Sequence, residues 1–196
     1  MEVLKIKKLH PDAHVPTRAH DTDAGMDLYA LPVEYTDEEK RDIKNKLAAK
    51  ALLQSATAFD FLWAATDSDW EQAFAKGIYI FPHETVMVPT GIAVAVPTGY
   101  MGCIYARSGL ASKHGLAPAN CVGIVDSDYR GEVKVALHNY SNEPYVVDVG
   151  ERIAQLVIQP ISLCTPVEVD ELDETERGVG GFDYQGQSYR NILYYR

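Results

Sequence analysis

The sequence predicts a mainly β protein, either a sandwich or a jelly-roll barrel. Its apolar runs are short and rich in β-branched residues, as strands are. Proline or glycine bounds most of them, which is typical of all-β domains with tight turns. At 196 residues the chain is long enough for one domain with a real core.

Strands are predicted along the whole chain outside one segment. Four of them lie at residues 78–81, 85–88, 92–96 and 153–158. Two more flank a turn, with apolar positions Val122, Ile124 and Val125 before it and Val133, Val135 and Leu137 after it. We expect the first of these two strands to be buried and the second to alternate between faces.

The turn between these last two strands is crowded with polar side chains. It holds Asp126, Asp128, Tyr129 and Arg130. The flanking glycines, Gly123 and Gly131, permit the backbone angles of a tight hairpin and the close approach of a ligand. Polar groups on a rigid hairpin favour a functional site, although the pattern alone also fits an acidic surface turn.

One segment departs from the β pattern and predicts two or three inserted helices. It covers residues 36–76, or 35–76 if Tyr35 is included. Thr36 with Glu39 has capping-box spacing, and Ser68 with Glu71 repeats it. Apolar residues follow at helical intervals: Ile43, Leu47 and Ala51, then Trp70 with Phe74. We expect the large apolar residues Phe59, Phe61, Leu62 and Trp63 to pack within the insertion or against the barrel, and partner binding or a lid is the alternative.

From Asp170 to Arg177 the chain becomes acidic and loses its periodicity, which indicates a flexible C-terminal arm. The predicted organisation is therefore a β-barrel domain over residues 1–169, interrupted by the insertion, and an arm over residues 170–196.

Composition excludes several classes of function. The formal charge of −10 argues against nucleic-acid binding. The cysteines, Cys103, Cys121 and Cys164, have no C-x-x-C spacing and predict reduced thiols. No apolar run approaches the roughly 18 residues of a membrane span, and the N-terminus lacks the layout of a signal peptide. We expect a soluble, cytoplasmic protein without a membrane partner.

Five islands of sequence stand out in order along the chain. They are Ala24-Gly-Met-Asp-Leu-Tyr-Ala30, Ala106-Arg-Ser-Gly-Leu-Ala111, Asn120-Cys-Val-Gly-Ile-Val-Asp-Ser-Asp-Tyr-Arg-Gly-Glu132, Gly150-Glu-Arg-Ile-Ala-Gln-Leu156 and Arg177-Gly-Val-Gly-Gly-Phe182. Together they resemble the five motifs of the trimeric deoxyuridine triphosphatases (dUTPases), over residues 1–33 and 77–182.

The resemblance implies a fold and a reaction. The fold is the dUTPase jelly-roll barrel, here with a helical insertion. The reaction is Mg²⁺-dependent hydrolysis of dUTP to dUMP and pyrophosphate by attack of water on the α-phosphorus. It limits uracil incorporation into DNA and supplies dUMP for thymidylate synthesis. The resemblance also implies a homotrimer with sites between subunits, each closed by the tail of another chain.

By the same resemblance, the polar turn holds the base and the sugar. Asp126 matches the aspartate that activates the attacking water. Asn120 and the backbone at Gly123 and Val125 match the groups that hydrogen-bond uracil. Tyr129 matches the ring under the deoxyribose, where a 2′-hydroxyl would collide. A turn-capping Asp126 and a core-capping Tyr129 are the structural alternatives.

The remaining islands supply phosphate and metal contacts by resemblance. Arg107, Ser108 and Gly109 match a phosphate cradle, and Gln155 matches a further phosphate contact, unless it is simply a polar residue on an outward strand face. Asp27 matches an aspartate near the triphosphate and its Mg²⁺, with contact through water, or it caps a turn. We expect Arg152 to be structural and to pair with carboxylates.

The last island matches its relatives only in part. Arg177 matches an arginine on the terminal phosphate, and Phe182 matches the ring over the uracil. The relatives usually continue Phe-Gly-Ser-Thr-Gly, whereas this chain continues with residues 183–186, Asp-Tyr-Gln-Gly. Asp183 near a polyphosphate is unfavourable, and Arg190 is a candidate to bind the terminal phosphate in place of the two hydroxyls that this chain lacks.

Two other functions remain open at this stage. A dCTP deaminase shares the fold, but the Arg107-Ser-Gly109 and Asp126-Ser-Asp-Tyr129 runs favour a dUTPase. A nucleotide-gated regulatory protein, binding a partner through the insertion at 36–76, belongs to a different class.

Overall fold

The structure, a computed structural model, describes residues 3–54 and 64–179. Strands dominate these ranges, which confirms the predicted mainly β fold with a helical insertion. The strands are β1 (Lys5–Lys8), β2 (Met26–Tyr29), β3 (Gly77–Ile80), β4 (Thr85–Pro89), β5 (Ile92–Ala95), β6 (Tyr100–Ala106), β7 (Leu116–Pro118), β8 (Gly123–Val125), β9 (Lys134–Asn139), β10 (Tyr145–Asp148) and β11 (Arg152–Pro160). The helices are α1 (Asp37–Gln54), α2 (Asp67–Lys76) and α3 (Ser108–His114).

The strands form antiparallel sheets around one apolar core. The larger sheets have the orders β2–β11–β6–β8 and β4–β9–β7, and shorter pairs join β1 with β5 and β3 with β10. Most paired strands are distant in sequence, as in jelly rolls rather than meanders. Branched aliphatic side chains fill the core, including Leu28, Ile80, Ile104 and Leu156.

The predicted hairpin at residue 126 is wrong in its pairing. β8 pairs with β6, whereas β9 pairs with β4 and β7. Residues 126–133 therefore cross from one sheet to another. Ile124, predicted to be buried, is 60% exposed, because Gly123 and Val125 take the core side of a strand with a period of two. The alternation of Val133, Val135 and Leu137 toward the core is confirmed.

The insertion is helical, and its first cap is the predicted one. Glu39 Oε2 accepts a hydrogen bond from Thr36 N at 2.8 Å, and Thr36 Oγ1 accepts one from Glu39 N at 3.2 Å. The second predicted cap, Ser68 with Glu71, is wrong. Helix α2 begins after Thr66, whose box partner is Asp69, because these two residues offer the same spacing two positions earlier.

A small apolar cluster joins both helices to the barrel. Ile43 of α1, Phe74 of α2 and Phe81, which follows β3, are buried together. The predicted Trp70–Phe74 pair stacks with its ring centroids 5.8 Å apart. Ion pairs join α1 to barrel loops: Lys46 with Glu84 and Lys50 with Glu143. The predicted packing of Phe59, Phe61, Leu62 and Trp63 concerns residues that lie outside the described ranges.

Helix α3 is anchored at its C-terminal end. Gly115 takes the left-handed conformation (φ 67°) that ends the helix. The His114 ring packs on Tyr145 with centroids 4.9 Å apart. Tyr145 donates a hydrogen bond to Glu151 Oε1 at 3.0 Å, and burial, reinforced by this bond, raises the pKa of Tyr145 to about 12. The phenol therefore stays a donor, and this contact helps to hold α3 beside the end of β6.

The structure divides into two compact units, Met1–Ser162 and Leu163–Arg196. In the second unit the described residues, 163–179, are exposed and contain neither helix nor strand. The barrel boundary at residue 169 and the flexibility of the arm stay predictions. None of the described helices is long and apolar enough to cross a membrane.

Candidate active site

A pocket of about 520 Å³ opens where the chain crosses between the two larger sheets. Its lining comes from β8, the crossing segment, the start of β9 and single residues of β4 and β6. The predicted residues among the lining are Asn120, Gly123, Val125, Asp126 and Tyr129. The structure therefore brings every base and sugar residue predicted from the third island into one pocket.

Asp126 follows the last residue of β8 at the pocket wall. Its backbone oxygen accepts a hydrogen bond from Tyr129 N at 3.2 Å, which closes a turn. Its carboxylate is exposed and makes no hydrogen bond or ion pair with another residue in the described ranges. A carboxylate with both oxygens available can accept a proton from water, whereas a turn-capping aspartate would be engaged by its own backbone.

Tyr129 lies over Gly131 and is partly exposed. The Tyr129 hydroxyl donates a hydrogen bond to the Glu132 backbone oxygen at 3.0 Å. A Cβ at position 131 would lie 2.4 Å from that hydroxyl oxygen, so only glycine permits this ring position. The glycine therefore serves close approach, not the unusual backbone angles expected from the sequence.

Asn120 and Gly123 are neighbours in the pocket wall. A Cβ on Gly123 would lie 3.2 Å from Asn120 Nδ2 and 3.1 Å from Ile104 Cβ. Gly123 thus keeps the amide close to the strand. The positive φ of this loop falls on Cys121 (59°), which the sequence pattern did not single out.

A second group of predicted residues lies on the same sheet, around Asp27. Arg107 Nε is 3.1 Å from Asp27 Oδ1, and Arg152 Nη1 is 3.1 Å from Asp27 Oδ2. Arg107 Nη1 also donates to the Arg152 backbone oxygen at 2.9 Å. The Asp27 side chain is nearly buried, which makes this a charge-assisted network with little solvent screening. The expectation that Arg152 pairs with a carboxylate agrees with this contact.

Gln155 lies directly across from Asp27 in the β2–β11 pairing and across from Tyr105 in the β11–β6 pairing. It is half-buried, and a Cβ on Gly25 would lie 3.1 Å from Gln155 Cβ. Ser108 and Gly109 are exposed at the start of α3, and a Cβ on Gly109 would meet nothing within 4 Å. Ser108 and Gly109 are therefore both accessible to a ligand.

Strand β6 connects the two groups. It pairs with β8 on one edge and with β11 on the other, so Ile104 is opposite both Gly123 and Leu156. Arg107 follows β6 directly. Residues that are far apart in sequence, in four of the islands, thus lie on one continuous sheet.

Two predicted residues are not part of this geometry. Arg177 is exposed and belongs to the second unit, which is described by itself. Phe182, Asp183 and Arg190 lie outside the described residues. No group of three or more histidine, cysteine, aspartate or glutamate side chains in the described ranges could hold a metal ion.

Glu132 is one of the pocket residues that sequence reasoning did not assign to the site. Its Oε1 accepts a hydrogen bond from Gly91 N at 2.8 Å, a contact across 41 residues of chain. The only signal for it was its place at the end of the third island.

Comparison with known proteins decides the family. Residues 73–186 match the sequence model of the dUTPase family. The deoxyuridine 5′-triphosphate nucleotidohydrolase of Syntrophotalea carbinolica is 37% identical over 93% of this chain and 96% of its own length. The chain belongs to the dUTPase family. The homologous enzyme of Nocardia farcinica is 38% identical, over 93% of this chain and 85% of its own length.

Solved structures agree with this membership. The dUTPase of Staphylococcus bacteriophage 80alpha, bound to dUPNHPP, is 25% identical with a TM-score of 0.65, covering 93% of this chain and 97% of its own. The dUTPase of phage phi11, whose structure shows a species-specific insert, is 22% identical with a TM-score of 0.61. It covers 89% of this chain and 100% of its own length, and it supports the fold alone.

Proposed function

We propose that this chain hydrolyses dUTP to dUMP and pyrophosphate in the pocket beside β8, with Asp126 as the base that activates the attacking water. Family membership supports the reaction. The observation that carries the role of Asp126 is its carboxylate, exposed at the pocket wall without a protein partner in the described ranges. Such a group can orient a water molecule and take its proton.

Uracil binds along the open edge of β8. This strand lies at the end of its sheet, so the edge opposite β6 is not paired with another described strand. A strand edge presents N–H and C=O groups in alternation, and uracil presents acceptor, donor and acceptor. Cytosine reverses part of this pattern and would leave buried polar groups unpaired. The Asn120 side chain, close to Gly123, supplies one further amide.

The deoxyribose packs against the ring of Tyr129. The ring is held by its hydrogen bond to the Glu132 backbone oxygen and by its fit over Gly131. A ring fixed on two sides leaves little freedom to accommodate a 2′-hydroxyl. Ribonucleotides are therefore excluded by shape.

The phosphates extend toward the start of α3. Arg107 is oriented by Asp27 and by the Arg152 carbonyl, and its Nη2 keeps donor capacity for a phosphate oxygen. The Ser108 hydroxyl and the Gly109 amide add donors in an open position. Gln155 contributes an amide from the neighbouring strand. In this proposal Arg177 contacts the terminal phosphate, and Phe182 covers the base.

Mg²⁺ binds with the substrate, not in a protein cage. Mg²⁺ prefers oxygen ligands and keeps several waters, so it requires few protein groups. Each Asp27 oxygen is engaged by one guanidinium but can accept a second hydrogen bond. Asp27 would hold a water molecule of the Mg²⁺ shell, and the ion would supply charge neutralisation on the triphosphate.

The active assembly is a homotrimer with its sites between subunits. Two large apolar side chains beside the pocket support this proposal, because Ile124 is 60% exposed and Met87 is 55% exposed. Contact with another copy would remove this apolar surface from water. Light scattering coupled to gel filtration tests the assembly, and a monomeric mass at micromolar concentration contradicts it.

A cytoplasmic location agrees with the unpaired thiols of Cys103 and Cys121. Fractionation of the host cell tests it, and recovery of the protein outside the cytoplasm contradicts it.

A partner protein at the insertion is a second proposal, supported by Leu52 and Leu53, which are 59% and 88% exposed on α1. Normal turnover with loss of a partner after Leu52→Ser and Leu53→Ser supports it, and retention of all partners contradicts it.

The decisive experiment is pyrophosphate release from dUTP, dCTP, dTTP, UTP and dUDP, with and without Mg²⁺. We expect release from dUTP alone and only with Mg²⁺. Incubation with dCTP followed by an ammonia assay separates the dCTP deaminase alternative. Release of ammonia from dCTP, without release of pyrophosphate from dUTP, would contradict the proposal.

A further inference from the structure

We propose that Glu132 is a positioning residue that holds the Tyr129 ring and thereby sets the preference for deoxyribose over ribose. The inference rests on the proposed packing of deoxyribose against Tyr129. It assigns a role to a side chain outside the base and phosphate contacts.

The backbone of Glu132 determines where the Tyr129 ring lies. The ring's hydroxyl donates to the Glu132 carbonyl at 3.0 Å. The ring also folds back over Gly131, where a Cβ would come within 2.4 Å of the hydroxyl oxygen. Any shift of residues 131–132 therefore shifts the ring with them.

The side chain of Glu132 ties this backbone to the adjacent turn between β4 and β5. Oε1 accepts a hydrogen bond from Gly91 N at 2.8 Å. Next to it, Val133 N donates to the Ile92 carbonyl at 2.8 Å, and the buried Thr90 hydroxyl donates to the Val133 carbonyl. Residues 132–133 are thus fastened to residues 90–92 at three points.

The turn at residues 90–92 is itself rigid. Gly91 has a φ of 66°, and a Cβ there would lie 2.3 Å from Leu31 Cδ1 and 2.9 Å from Ala13 Cβ. Such a turn has little room to move, because packed side chains surround it. It is a fixed anchor for the glutamate.

Two other roles for Glu132 fit the geometry less well. Its Oε1 is committed to an amide, while the Asp126 carboxylate has no such partner in the described ranges, so Asp126 is better suited to act as the base. The pairing of Glu132 Oε2 with Lys134 Nζ is long, at 3.5 Å, and the lysine is half exposed. Pairs of that kind contribute little.

The consequence is a steric one. A 2′-hydroxyl is excluded only while the ring stays within a fraction of an ångström of its place, and a small misplacement changes rates strongly. Removal of the bond to Gly91 leaves two of the three fastenings and loosens the backbone that holds the ring. The expected signature is a fall in discrimination between dUTP and UTP, larger than the fall in kcat for dUTP.

The test compares two substitutions of the same length, Glu132→Gln and Glu132→Met. The glutamine amide oxygen can still accept from Gly91 N, whereas the methionine thioether is a weak acceptor at best. We expect Glu132→Met to lower the ratio of kcat/KM for dUTP over UTP by about tenfold, the effect of removing one hydrogen bond. We expect Glu132→Gln to keep that ratio within about threefold.

The control is Glu143→Ala, which removes an exposed glutamate paired with Lys50 on α1 and should leave the ratio unchanged. Tyr129→Ala tests the placement of the sugar independently. Relative affinities for dUMP and UMP, measured by calorimetry, provide a readout that does not depend on turnover. Thermal unfolding establishes that each variant is folded.

The outcomes separate the two proposals. A lowered ratio in Tyr129→Ala with an unchanged ratio in Glu132→Met overturns the role of Glu132 alone. An unchanged ratio in both variants overturns the placement of deoxyribose on Tyr129 as well. Equal losses in Glu132→Gln and Glu132→Met also contradict the inference, because they would make the charge, not the acceptor, the cause.

Discussion

Arg107 Nε lies 3.1 Å from Asp27 Oδ1, although 80 residues separate the two in sequence. Asp27 Oδ2 meets Arg152 in the same way. One nearly buried carboxylate thus orients a candidate phosphate ligand and pairs with two guanidinium groups. The second island of sequence depends on the first for its geometry.

The substitution Asp27→Ala should destabilise the fold and disturb phosphate binding. Removal of the carboxylate leaves the Arg107 guanidinium, whose side chain is 23% exposed, without its charged partner, and we expect a loss of about 2 kcal/mol in the free energy of unfolding. Urea denaturation measures it. The control is Asp23→Ala, whose exposed contact with His20 should cost no more than about 1 kcal/mol. Equal losses in the two variants would argue against a structural network at Asp27.

Asp126→Asn should abolish turnover of dUTP while leaving nucleotide binding largely intact. The amide cannot take a proton from water but keeps the shape of the carboxylate. We expect kcat to fall by at least about a hundredfold, within the range for loss of a general base. Single-turnover kinetics and calorimetry with a non-hydrolysable dUTP analogue measure the two properties separately. Substantial turnover in this variant would mean that another group is the base.

Phe74→Ala should destabilise the insertion without abolishing catalysis. Phe74 is 4% exposed and packs with Ile43 and Phe81. Because its removal leaves a cavity, we expect the free energy of unfolding of the insertion to fall by about 3 to 5 kcal/mol. Hydrogen exchange should show faster exchange in α1 and α2 than in β8. Parallel loss of protection in the pocket strands would instead make the insertion part of the barrel's folding unit.

The helix caps of the insertion should weaken in acid. The Thr36 backbone amide, then its hydroxyl, lowers the pKa of Glu39 below its ordinary value of 4.5. The Thr66 hydroxyl, then its backbone amide, lowers the pKa of Asp69 below 3.8. Because the folded pKa values are lowered, the stabilisation is present above the ordinary values and is lost as pH falls through the folded ones. The test compares the Tm of the wild type with that of a double variant, Glu39→Gln and Asp69→Asn, from about pH 7 to about pH 3. The double variant should have the lower Tm near pH 7, and the two Tm values should converge in acid. A constant difference across this range would exclude the caps as the cause.

Arg190→Ala should raise KM for dUTP if this arginine binds the terminal phosphate in place of the hydroxyls that the fifth island lacks. This prediction is motivated by the sequence alone, because Arg190 lies outside the described residues. Steady-state kinetics with Arg196→Ala as a matched control checks it. An unchanged KM eliminates the proposal.

Local patterns predicted local structure well. The Thr36–Glu39 capping box, the Trp70–Phe74 pair and the alternation of residues 133–137 all depend on neighbours within one or two turns, and all are confirmed. The error at Ser68 is also local, because two hydroxyl-to-carboxylate pairs with the same spacing competed for one helix start. Membership of the dUTPase family was predicted from five short islands. The order of motifs along the chain can be read without knowing which strands pair.

Pairing between distant strands was beyond local patterns. The runs around β8 and β9 fit a hairpin, yet each strand found its hydrogen-bond partners elsewhere, and Ile124 became exposed as a result. The sequence by itself determined several of the strands, the first helix cap and the family, and it predicted which groups react. Only the tertiary structure decided that Asp27 bridges two arginines and that Glu132 reaches Gly91. These contacts depend on which sheet edges meet, and that is set by burial of the whole core, not by any single stretch of chain.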